Sequence, residues 1–120
     1  MDTMQINFSG ESIKVKITLG LINALEEYYG PLPAILEKMK DKKFTFSQQV
    51  DVLKTVAVQN GYEITDRNIE QQVMTDGSAS ITRECLRLLA VLVGGIKALS
   101  FFIPAEQEAG TESGLGKPGV

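Results

Sequence analysis

Over residues 5–17 the apolar side chains fall on every second position, and from Thr18 onward they fall three or four apart. A period of two lines one face of a strand, whereas a spacing of three to four lines one stripe of a helix. The switch predicts a mainly α (α+β) fold, with a short N-terminal β-hairpin packed on about five helices. In the hairpin, Ile6, Phe8, Ile13, Val15 and Ile17 share the inward face and Lys14 and Lys16 the outward one. Ser9-Gly10-Glu11 is the turn, with Gly10 free to take a positive φ. An isolated hairpin is marginal in water, so this one must pack on the helices or pair with another subunit.

The helices carry their own punctuation. Thr18 fits an N-cap for a helix with Leu19, Ile22, Leu25 and Tyr29 inward, stopped by Gly30-Pro31. Leu32, Ile35, Leu36 and Met39 mark a second, short helix. Thr45 with Gln48 is a capping-box pattern, opening a helix that buries Phe46, Val50, Leu53 and Ala57 and ends near Asn60-Gly61. Ile64-Thr65 caps a fourth, from Asp66 to about Thr75, with Ile69 and Val73 inward, before an Asp76-Gly77-Ser78 turn.

The last helix is expected over residues 81–102 and is apolar nearly all round, so it must lie at the centre of the core or under a neighbour. Ala90, Gly94 and Ala98 recur every four residues as a smooth stripe. Two glycines inside a helix cost on the order of 1 kcal/mol each relative to alanine. Tight packing, a bend or an interface must offset that. From Pro104 the composition changes: the last 17 residues hold four glycines, two prolines and three glutamates. Such a segment buries too little to order itself. The expected organisation is a single helical domain over 1–103 and a disordered acidic, Gly-rich tail over 104–120.

Composition removes most chemistry from a chain of 120 residues. There is no histidine, hence no Ser-His or Cys-His nucleophile pair and no imidazole metal ligand. Cys85 is the only cysteine, so it forms no intrachain disulfide and no thiolate cage. A net charge of −3 argues against a protein that neutralises a nucleic-acid backbone. Residues 86–103 are the one stretch to weigh as a membrane span, but Arg87 and Lys97 interrupt it. No secretory signal opens the chain, which points to the cytoplasm. No catalytic site, cofactor site or metal site is expected.

The remaining candidates read as structure. Glu26-Glu27 point about 100° apart on a helix and read as a solvated face. Lys38, Lys40, Lys42 and Lys43 read as a solvated helix end, and Cys85 as a buried thiol beside Glu84 and Leu86. Tyr28, Tyr29 and Tyr62 read as half-buried packing residues. The glycines match no phosphate-binding loop.

One phrase carries more. Phe8-x-Gly10-Glu11 is followed by Ile17-Thr18-Leu19-Gly20-x-Ile22-x-x-Leu25-Glu26, closing at Gly30. Val50 to Ala57, Gly61 and Ile64-Thr65 come later, before the apolar C-terminal segment. Over roughly residues 6–100 the chain resembles the small tail assembly chaperones of long-tailed phages and phage-derived gene transfer agents. Phe8, Gly10, Gly20, Leu25, Glu26 and Gly30 form the family-like structural motif. The resemblance implies a non-enzymatic protein that binds the tape measure protein and recruits tail tube protein subunits in the host cytoplasm, absent from the mature particle. It also likens the Gly/Glu-rich end to the point where such chaperones are extended by a ribosomal frameshift. The alternative is a structural tail or head–tail subunit retained in the particle. A homo-oligomer is expected, with Ala90, Val91, Gly94, Ala98 and Leu99, or the hairpin edge, at the interface. Neither nucleic acid nor membrane is an expected partner.

Overall fold

In a computed structural model the structure describes residues 3–101, with the side chains of the last three, Leu99 to Phe101, left aside. Strand β1 (Thr3–Phe8) pairs antiparallel with β2 (Glu11–Lys16). Five α-helices come next: α1 (Leu19–Tyr29), α2 (Leu32–Lys40), α3 (Phe46–Gln59), α4 (Asp66–Asp76) and α5 (Ser78–Gly94). A 3-10 segment, Ile96–Phe101, closes the described chain. The expected hairpin on about five helices is what folds. The tail over 104–120 lies outside the described residues.

The hairpin turn is tighter than the sequence suggests. Phe8 pairs directly with Glu11, so Glu11 belongs to β2 and only Ser9 and Gly10 make the turn. Both have positive φ, 52° and 81°, the mark of a type I′ turn, whose twist matches that of the strands it joins. One hairpin face is buried through Met4, Ile6, Phe8, Ile13 and Val15, and the helices cover it.

The predicted caps form. Thr18, Thr45 and Thr65 each accept a backbone N–H from the residue three ahead, at 3.1–3.2 Å. Thr45 and Gln48 complete the capping box, the Gln48 Oε1 accepting the Thr45 N–H at 2.9 Å. Two apolar residues assigned inward face water instead. Leu19 is 76% exposed, because its position falls roughly 100° around the helix from the stripe of Leu21, Ile22, Leu25 and Tyr29. Phe46, at the first helical position of α3, is 38% exposed, while Val52, Leu53, Val56 and Ala57 carry the burial.

Helix α5 is the central element. It packs on α2, α3, α4 and β1, and buries Ile81, Cys85, Leu88, Leu89 and Val91. Its predicted span needs correction at both ends. It begins at Ser78, since Gly77 alone joins α4 to α5, and it ends at Gly94 rather than continuing to Phe102. Gly95 turns the chain with φ 83° and ψ 176°. Of the three ways to offset the glycine pair, a bend is present, at Gly95. No helix of the described residues is long and apolar enough to cross a membrane.

Candidate functional site

An unpaired strand edge is a ready template for another chain, so the hairpin is the first surface to consider. Here side chains meet backbone donors on both sides of the hairpin. On the β1 side, Glu84 Oε1 accepts the Asn7 N–H at 2.8 Å and Gln72 Oε1 accepts the Ser9 N–H at 2.6 Å. On the β2 side, Asn60 Oδ1 accepts the Lys16 N–H at 2.9 Å, and Tyr62 Oη accepts the Lys14 N–H at 3.4 Å. The acceptors are themselves held. Gln72 donates to Ser80 Oγ at 3.1 Å, and Arg87 donates to Glu84 at 2.8 Å. Glu84 and Gln72 are 3% and 8% exposed. Asn7, Gln72, Asp76, Ala79, Ser80, Arg83 and Glu84 line a polar cleft of about 510 Å³. Sequence reasoning missed this set. Its one local signal was Glu84 with Arg87, an i,i+3 charge pair on the helix.

The more apolar relief runs along α3. Ala24, Tyr28, Tyr29, Asp51, Lys54, Thr55, Val58 and Gln59 line an open groove of about 550 Å³ between α1 and α3. A second groove, of about 380 Å³, lies between α3 and α4 and includes Phe46, Val50 and Ile69. Asp51 and Lys54 border both, so the outer face of α3 is one ridge between two grooves. Tyr28 and Val58 are 75% and 61% exposed on it. Lys54 reaches across to Asp66 at 3.2 Å, an exposed pair that contributes little to stability. Burial, and then the negative charge of Asp51, push the Tyr29 phenol above its ordinary range, against a hydrogen bond with Thr55 that lowers it. A grooved face that exposes apolar side chains beside Asp51, Lys54, Asp66 and Glu70 suits protein contact.

The residues expected at an oligomer interface differ in exposure. Val91 is buried in the core, Ala90 and Ala98 are half-buried and Gly94 is exposed; Leu99 falls among the side chains left aside. The bend at Gly95 breaks the stripe and brings the Cβ of Ala98 to within 3.4 Å of where a Gly94 Cβ would stand. Among the motif residues, Phe8 and Leu25 are core, while Gly10 and Gly30 hold positive φ. Gly20 lies in the first turn of α1.

Glu26 has a role beyond a solvated face. Its Oε2 accepts the Leu32 N–H at 3.0 Å and so caps α2, whose N-cap Pro31 has no side-chain acceptor. Glu26→Ala is expected to cost about 1 kcal/mol, read as a lower urea midpoint at unchanged slope. Tyr28 stands in solvent, while Tyr29 and Tyr62 are half-buried as expected. Lys38, Lys40, Lys42 and Lys43 are exposed, and the first two sit in the last turn of α2, where positive charge is favoured. Cys85 is buried as expected, and desolvation pushes its thiol up to about 12, which keeps it protonated and unreactive. No group of three metal-ligating side chains occurs among the described residues.

The fold and its surface therefore define a small helical domain, with an N-terminal hairpin held against the helices and a grooved face along α3. A family model described as phage tail tube protein, GTA-gp10, matches residues 2–95, and the chain belongs to that family. The match takes in the hairpin and all five helices. It supports the expected origin in a phage or gene transfer agent tail, and its description names the tail tube rather than an assembly chaperone. No curated protein and no solved structure matches the chain.

Proposed function

We propose that the protein is a non-enzymatic subunit of a phage or gene transfer agent tail that stays in the particle and contacts other tail proteins there. The family match over residues 2–95 carries this reading, since it covers the folded elements and its description is of a tail tube protein. The ridge of α3 between its two grooves is the contact face this reading favours.

A second reading rests on the hairpin edges. Side chains of α4, α5 and the α3–α4 connection meet the Asn7, Ser9, Lys14 and Lys16 N–H groups, which hinders strand addition between copies at those positions. Contact through helix faces suits a carrier of other subunits, namely a chaperone that binds the tape measure protein, recruits tube protein and then leaves. Mass spectrometry of purified particles separates the two. A structural subunit is present in fixed ratio to the tube protein. A chaperone is depleted from the particles although deleting its gene abolishes tails.

A further inference from the structure

Three glycines join helices in this chain by the same device. Gly30, Gly77 and Gly95 have φ of 90°, 85° and 83° with ψ of −172°, 158° and 176°. This region of backbone space is essentially open to glycine alone. Each donates its N–H to the carbonyl four residues back, at 2.8–2.9 Å, and so closes the helix before turning the chain.

The segments beyond the three joints differ in how firmly they are packed. After Gly30, α2 buries Leu32, Ile35 and Met39; after Gly77, α5 buries most of its apolar side. Core packing thus holds the first two joints bent. After Gly95 the chain runs as a 3-10 segment of six residues, longer than the three or four such helices usually sustain. Ile96 is 48% exposed, Lys97 is exposed, and the segment packs chiefly on the end of α5 itself. The apolar pattern of α5, meanwhile, continues across the joint: Leu89, Val93 and Ile96 stand at i, i+4 and i+7, one stripe of an uninterrupted helix. Val93 is 42% exposed beside the bend.

We propose that Gly95 is a hinge, and that Ile96–Phe101 exchanges between the folded 3-10 arm and an α-helical continuation of α5. The straight state lengthens α5 by seven residues, Gly95 to Phe101, or about 10 Å. It joins the exposed Val93 and Ile96 into one edge. The proposal is independent of the function assigned above.

Gly95→Ala in the full chain tests it, because alanine is excluded from the bent conformation but favoured in the straight one. NMR should show the short-range contacts of residues 96–101 change from the i,i+2 pattern of a 3-10 helix to the i,i+4 pattern of an α-helix. Far-UV circular dichroism should gain the signal of about seven α-helical residues, 95 to 101. Gly94→Ala is the control. It raises helix propensity one position earlier but leaves Gly95 free to bend, so the 3-10 pattern should persist. The proposal is overturned if Gly95→Ala keeps the 3-10 pattern, or loses it without gaining i,i+4 contacts. It is equally overturned if Gly94→Ala straightens the segment as well.

Discussion

Glu84→Ala is expected to lower the unfolding free energy by about 3–5 kcal/mol, the loss typical of removing one partner from a buried ion pair. Glu84 is 3% exposed and its Oε1 takes both the Asn7 N–H and the Arg87 guanidinium at 2.8 Å. Alanine leaves the Asn7 N–H without its acceptor and takes one acceptor from the largely buried Arg87, and each loss carries a desolvation penalty. Glu84→Gln keeps an oxygen for Asn7 and removes only the charge, so its loss should be smaller. Urea titration of both variants checks the ordering. A domain of this size has a total stability on the order of 5–15 kcal/mol, so the alanine variant should also melt at least about 10 °C lower. Equal losses for alanine and glutamine would mean that the charge, not the strand contact, is what α5 contributes here.

Phe8→Ala is expected to cost a similar amount, about 3–5 kcal/mol, through lost burial and the cavity left behind. Phe8 is fully buried at the end of β1, where the type I′ turn fixes the strand ends and limits collapse into the gap. The informative comparison is Phe46→Ala. Periodicity places both rings in the core, yet Phe46 is 38% exposed, and its removal should cost under about 1 kcal/mol. Urea midpoints for the two variants at matched slopes distinguish an inward ring from an outward one. A large loss for Phe46→Ala would show that the α3–α4 groove holds the domain together rather than receiving a partner.

The exposed Leu19, Tyr28, Phe46 and Val58 mark what local pattern cannot decide. Helical spacing says which residues share a stripe. It does not say which stripe a neighbour covers when a helix carries apolar residues over more than one third of its circumference. Leu21 and Val52, both buried, were outside the expected core for this reason. The polar members of the interior were illegible in the same way. Gln49 donates to the Phe44 carbonyl at 2.9 Å and accepts from the Thr82 hydroxyl at 2.7 Å, tying α3 to α5, and nothing near Gln49 in sequence announces Thr82.

Local sequence settles the hairpin, the three threonine N-caps, the capping box at Thr45 and the helix stops at Gly30, Asn60-Gly61 and Gly77. Each of these depends on backbone groups within about four residues. Packing between distant elements settles the rest: that Leu19 and Phe46 face outward, and that Glu84 and Gln72 meet backbone donors on one side of the hairpin and Asn60 and Tyr62 on the other. Asn7 and Glu84 lie 77 residues apart in the chain, and a contact of that range depends on how every intervening helix packs. The stop at Gly94 is local again: the apolar pattern runs on past it, and the turn is made at Gly95, whose φ of 83° is a conformation essentially open to glycine alone.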